Sequence, residues 1–405
     1  MNNKLLIEYD NFILNNNSKL HSLLIWTKLD DLQSYYIFNN IKIISTYKIN
    51  WSSEYYYQNF NRLNRIVKSS KKNNQLNKYN LYLIVFKVEE DNNLLQNIRG
   101  ELKHTNLKLI DLENILQNDE NVINYMISYT EYELNSMLIL LLGLENKFYN
   151  IFLINSQKEV VINKDLGGYN GWNNLSELFK VLNYSHNWLV LRNYEEHSDN
   201  YVFGEGDDID MLCENIDKFT AIMNAKDRPG GRCSYFVEVN NMKIPLDIRF
   251  IGDKYYDPVW EKDMLERKQY KGIIPVLSEY DYFFALLYHI RLQKRFIKPI
   301  YVERLDYLKK LINLVDIPDK FIYNEDICKE LLNNFLLTNN YHYTYTDNAV
   351  RNEEFVKFMK RQEINDLCDN CKVLLKSLFK QCKKEFFRLP SRIKNKIIRI
   401  LKGRK

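Results

Sequence analysis

The chain has 405 residues, 45% hydrophobic and 27% charged, with 57 Lys and Arg against 52 Asp and Glu. That length predicts two or three domains and a sizeable core. Six scattered cysteines exclude a disulfide framework and fit a reducing cytoplasm, and no apolar run approaches the roughly 20 residues of a membrane helix. The opening residues Met1 to Glu8 meet an acid too early for a secretory signal. The net charge of +5 is unevenly spread. From Lys372 onward thirteen Lys or Arg stand against Glu385 alone, a balance of +12 that leaves −7 for the rest. Any basic-partner signal therefore lives in the tail, and an acidic body disfavours nucleic acid as a partner.

In chain order, residues 35–38 and 41–44 read as strands. Residues 51–67 read as a helix, with Tyr55, Phe60, Leu63 and Ile66 in helical spacing. Residues 68–80 form a Lys/Asn-rich loop. The nearly continuous apolar run 81–88 predicts a central strand. Residues 91–100 read as a surface loop in which Arg99 and Gly100 could meet a phosphate. A short helix is predicted over 109–116 and a longer one over 131–142, with Leu134, Met137, Leu138 and Leu141 on one face. His21 and His104 stand alone, and this half carries no catalytic constellation. A regulatory, scaffold or acceptor-binding role is the preferred reading.

Gly167, Gly168 and Gly171, three of only twelve glycines, mark the expected domain boundary. A helix over 174–182 and a strand over 188–191 follow. Residues 204–212 then pass from loop-forming Gly204 and Gly206 into an alternation of acid and apolar side chains. In a strand, Asp208 and Asp210 share one face while Ile209 and Met211 share the other. Two carboxylates this close repel unless a cation sits between them, and hard divalent ions take such oxygens together with substrate phosphates. An acidic strand end facing water is the bland alternative. A helix is predicted over 217–225. The segments 234–239 and 244–250 read as a hairpin turning at Asn240 and Asn241. Leu246, Ile248 and Phe250 are expected to face a core, with Asp247 and Arg249 on the other side. If this strand lies near the Asp208 strand, a three-carboxylate metal site follows, with Arg249 beside it to hold a phosphate. The loop 228–232, with Arg228 and Arg232, either reaches substrate phosphate or is a plain turn.

The order strand, D-x-D, helix, hairpin, third Asp resembles the nucleotidyltransferase superfamily, whose catalytic fold is shared with DNA polymerase β. More narrowly, residues 186–295 resemble the nucleotidyltransferase-like proteins of surface-polysaccharide pathways. The matching residues are Trp188 to Tyr194, Gly206 to Asp210, Leu246 to Arg249, Tyr255 to Glu261 and Leu287 to His289. LicD-type phosphotransferases and fukutin are more distant cousins. The superfamily usually carries a Gly-Gly or Gly-Ser pair at the start of the helix before D-x-D. This chain has Arg192-Asn193 there, so phosphate grip falls to Arg192, Asn193 and the Gly206 loop backbone. The resemblance implies Mg²⁺ (or Mn²⁺) held by Asp208, Asp210 and Asp247, a nucleoside triphosphate donor, and a sugar-phosphate or glycan acceptor.

From Ser278 the pattern is helical: one helix starts there, and others cover 302–315, 325–337 and 352–379. The resemblance implies that His289 or Lys294 faces the nucleotide, although cations near a helix C-terminus are also favoured by its dipole. Cys368 and Cys371 share a helical face and read as packing. Past Pro390, Ile393, Ile397, Ile400 and Leu401 stripe a basic segment. Such an end either lies on an anionic membrane or is a solvated terminus. The expected fold class is α+β. An N-terminal α/β domain occupies 1–165 and a nucleotidyltransferase-like mixed sheet with helices 166–277. A helical domain occupies 278–382 and a basic amphipathic tail 383–405. The expected location is cytoplasmic, with the tail at the inner membrane face. The alternative function is a catalytically inactive module of the same fold that serves glycan assembly.

Overall fold

Leu81 to Phe86 are all buried, and a strand packed on both faces needs an apolar side chain at every position. The computed structural model describes residues 20–30, 42–67, 75–88, 93–98, 101–143, 160–194, 208–228, 234–294 and 296–344. It is a mixture of helices and two mixed sheets, an α+β architecture. Two compact units divide it. One comprises Met1–Asp253 with Pro258–Ser278, the other Lys254–Asp257 with Glu279–Lys405. No helix among the described residues is long and apolar enough to cross a membrane.

The first unit begins with β1 (Leu20–Thr27), β2 (Lys42–Asn50), α1 (Tyr56–Ile66), β3 (Asn80–Lys87), β4 (Asn93–Ile98) and β5 (Glu101–Asn106). It continues with α2 (Leu107–Asn118), β6 (Val122–Ile127), α3 (Glu131–Leu142) and β7 (Val160–Asn163). Five of the strands form a sheet in the order β6-β1-β3-β2-β7, so the expected central strand, β3, does lie in the middle. Helix α3 starts where Thr130 accepts the Glu133 N–H and Glu133 reaches back to the Tyr129 N–H, a reciprocal cap. Two expectations need correction. Residues 93–98 are not a loop but pair with β5 as a separate two-stranded sheet. Strand β1, buried along its length apart from half-buried His21, was not expected at all. The expected strand at 35–38, and Arg99 with Gly100, lie outside the described residues.

The second sheet is built from β8 (Trp188–Val190), which follows α4 (Leu175–Ser185), and β9 (Ile209–Cys213). After α5 (Ile216–Met223) come β10 (Lys226–Asp227), β11 (Tyr235–Val239) and β12 (Met242–Phe250). Helix α6 (Pro258–Glu266), β13 (Gln269–Lys271) and β14 (Ile274–Val276) complete it. The order is β10-β11-β12-β9-β8-β14-β13, which puts β9 at the centre. The β11–β12 hairpin turns on Asn240 and Asn241, both at positive φ (48° and 62°). That pair of left-handed residues matches the strand twist of a two-residue hairpin, and Asn tolerates it better than most side chains.

One buried apolar cluster runs from β1 through to β14. Arg62 of α1 helps close it. Its guanidinium is buried and donates to the carbonyls of Ala221, Ile222 and Gly167, each at 3.0 Å. Ile222 offers an end-of-helix carbonyl that α5 cannot satisfy itself, while that of Ala221 also accepts the capping Asn224 N–H at 3.2 Å. Gly168 is also constrained, at φ 69° with the Trp172 indole packed where a side chain would stand.

The second unit holds α7 (Glu279–Gln293), α8 (Pro299–Leu311) and α9 (Glu325–Asn339). Its core is aromatic, with Phe284 and Phe335 stacked at 4.0 Å between ring centroids. Helix α8 begins three residues earlier than expected, because Pro299 suits a first helical turn. The basic tail and the pair Cys368 and Cys371 lie outside the described residues.

Candidate metal centre

Strand β9 is buried from end to end. Asp208 sits immediately before it, half-buried, and Asp210 lies on it, 4% exposed. The two share a face because they are two residues apart. Strand β12 runs parallel to β9, with Leu246 opposite Ile209 and Asp247 opposite Asp210. Paired positions in neighbouring strands point to the same side, so Asp247 joins the other two. The three residues each offer a carboxylate oxygen, and these oxygens all lie within 4.8 Å of one another. Ile248 and Leu246 are buried on the opposite face, as expected, while Phe250 is half-buried.

Two arginines attend the acids. Arg192, just past β8, is 6% exposed and its guanidinium meets Asp210 Oδ1 at 2.5 Å. The chain is held there by the Leu191 N–H, which donates to the Asp210 carbonyl at 2.9 Å. Asn193 follows at φ 59°, a left-handed turn residue. Arg249 meets Asp247 Oδ1 at 2.9 Å and reaches Asp253 at 3.8 Å. Asp253 was not singled out from sequence, because an Arg followed four residues later by Asp past a strand end carries no pattern of its own.

Burial pushes the Asp210 carboxyl up to about 6. The nearby Asp208 and Asp247 charges add to that, and Arg192 pulls the other way without overcoming it. A buried acid beside two other acids is under-compensated even with a guanidinium in contact. A hard divalent ion holds carboxylate oxygens at about 2.0–2.6 Å, which separates opposite ligands by about 4–5 Å. The donor set and its spread fit such an ion.

The remaining expected residues distribute as follows. Gly206 and the loop 229–233 lie outside the described residues, and Arg228 is exposed at the edge of the latter. His289 and Lys294 belong to the helical unit. There His289 is buried, its Nδ1 within 2.9 Å of the Tyr255 hydroxyl and 2.8 Å of Gln293 Oε1. Lys294 lies just past the end of α7.

Comparison with protein-family models, with curated proteins and with solved structures finds no match to this chain.

Proposed function

We propose that the protein is a Mg²⁺- or Mn²⁺-dependent transferase of nucleotidyl or related phosphoryl-linked groups. Its donor in this reading is a nucleoside triphosphate, and its acceptor a sugar phosphate or surface-glycan precursor. The observation that carries the reading is the convergence of Asp208, Asp210 and Asp247 from two adjacent parallel strands, one of them buried. A divalent ion bound there would neutralise phosphate charge and make an attacking hydroxyl more acidic. The chain's own part is positioning. Asp210 is held rigid by burial and by Arg192, Asp208 supplies a carboxylate from the strand entrance, and Asp247 brings the third from β12. Arg192 and Arg249 are the cations placed to orient phosphate oxygens.

A second reading has its own observation. Arg192 on Asp210 and Arg249 on Asp247 already oppose two of the three acids. A module that keeps the fold for binding alone needs no further cation.

Calorimetric titration separates the two. The wild type is expected to bind Mn²⁺ and Mg²⁺, and Asp208→Asn combined with Asp210→Asn to abolish binding. Incubation with the four ribonucleoside triphosphates, Mg²⁺ and a panel of sugar phosphates should then release pyrophosphate. Metal binding without pyrophosphate from any pairing, or no metal binding at all, favours the binding module.

A further inference from the structure

Strand β12 ends at Phe250 and the chain turns at once. The Asp253 N–H donates to the Phe250 carbonyl at 3.0 Å, and Gly252 stands at φ 87°. That is the third position of a four-residue turn, where a positive φ favours glycine. The turn is tied down on two sides. The Ile251 N–H donates to the carbonyl of Cys213, the last residue of β9, at 3.2 Å. The Gly252 N–H donates to Glu261 Oε2 of α6 at 2.8 Å, and Glu261 is fully buried. Asp253 is thereby fixed in place, its side chain 8% exposed.

A single guanidinium joins this residue to the acid cluster. Arg249 Nη2 lies 2.9 Å from Oδ1 and 3.2 Å from Oδ2 of Asp247, while Nη1 lies 3.8 Å from Asp253 Oδ2. The two ends of one cation thus face a member of the cluster and an acid outside it. A divalent ion on Asp247 competes with Nη2 for the same oxygens and repels the guanidinium. An arginine held by Asp247 alone would oppose that ion. With Asp253 alongside, it keeps a counter-charge while Asp247 engages the ion. The formal charges agree. Asp208, Asp210, Asp247 and Asp253 against Arg192 and Arg249 leave −2, the complement of one divalent ion, whereas leaving Asp253 out gives −1.

We propose that Asp253 is a positioning residue for the metal centre: it takes up the Arg249 guanidinium, frees Asp247 for a divalent cation, and keeps Arg249 beside the site to meet substrate phosphate. This role rests on the metal-dependent reading of the same site. It acts through Arg249 and not by direct contact with the ion, as groups standing behind a metal ligand do.

The test is calorimetric titration of the full chain with Mn²⁺ at pH 7.5. Asp253→Asn keeps the shape and loses the charge, and should weaken Mn²⁺ about tenfold. Asp253→Glu restores the charge and should recover most of the affinity. Arg249→Gln removes the competing cation and should bind Mn²⁺ at least as tightly as the wild type. In that background Asp253→Asn should cost less than about twofold, because no guanidinium is left for it to hold. Such non-additivity separates positioning from a general loss of negative charge, and melting temperatures without metal show which variants are folded. Should Arg249→Gln not fold, the Asn and Glu pair at position 253 decides. A wild type that binds Mn²⁺ while Asp253→Asn is unchanged, a loss in Asp253→Glu as large as in Asp253→Asn, or the same loss with and without Arg249 overturns this role and leaves the metal centre standing. A wild type that binds no Mn²⁺ overturns both.

Discussion

Replacing Asp210 by Asn tests whether the acid cluster is built for a cation rather than for stability. In the folded chain this carboxyl sits near 6 against an ordinary value of 3.8. Its ionised form therefore costs the native state about 3 kcal/mol at pH 7.5. Asparagine removes that charge. Its amide oxygen can still accept from Arg192, at the loss of about 1 kcal/mol of charge assistance. The metal-free variant should thus be about 1–2 kcal/mol more stable than the wild type, a melting midpoint about 2–8 °C higher. The sign follows from a folded-state value raised above the unfolded one. Between pH 4 and 6 the native wild type holds the extra proton, so its stability falls as pH rises through that window. The variant's advantage should accordingly shrink at pH 4.5. Saturating Mg²⁺, at about one hundred times its dissociation constant, adds about 2.7 kcal/mol to the wild type alone and inverts the order. Thermal melts in EDTA and in Mg²⁺ at the two pH values provide the readout. A variant less stable than the wild type at pH 7.5 in EDTA refutes the reasoning, because Arg192 would then need the full charge of Asp210.

Three further outcomes are expected. Divalent-ion affinity should fall about tenfold per pH unit below 6, since Asp210 must lose its proton to bind; titrations at pH 5, 6 and 7 read this directly. Arg62→Met should cost about 3 kcal/mol in urea unfolding, because the carbonyls of Gly167 and Ile222 lose their donor and that of Ala221 keeps only the Asn224 N–H. Asn241→Ala should cost about 1 kcal/mol, because alanine lacks the short polar side chain that lets Asn tolerate left-handed backbone, and Asn241→Gly should cost nothing or stabilise slightly, by the same unfolding measurement.

Which parts of this were readable from residues follows from the periodicities. The alternation through Leu246 to Phe250 and through Asp208 to Met211 assigns faces by itself, so the two acid-bearing segments were visible. Their pairing was not. Parallel neighbours are joined here through α5, β10 and β11, and no local pattern states which distant strand lies alongside. Strand β1 escaped because Leu-His-Ser-Leu-Leu-Ile-Trp-Thr neither alternates nor carries helical spacing; it is buried on both sides and shows only as an apolar run. Strand β4 escaped for the opposite reason, being rich in Asn and Gln. His289 illustrates a different gap. The resemblance suggested a nucleotide contact for it, and no local pattern announced the hydrogen bonds its ring makes with Tyr255 and Gln293. The cavity of about 280 Å³ beside Ser185 had no linear signature, since its lining comes from four helices and the linkers next to them.

The Asp210–Asp247 juxtaposition makes chemistry hostage to strand alignment. Because side chains flip sides at every step, sliding β12 along β9 by a single position would turn Asp247 inward and Leu246 or Ile248 outward. Such a slipped conformer would bury a charge and expose oil, so misalignment penalises itself. Folding to the correct alignment and assembling the acidic trio are then one event, and a one-residue insertion ahead of Leu246 should erase both together.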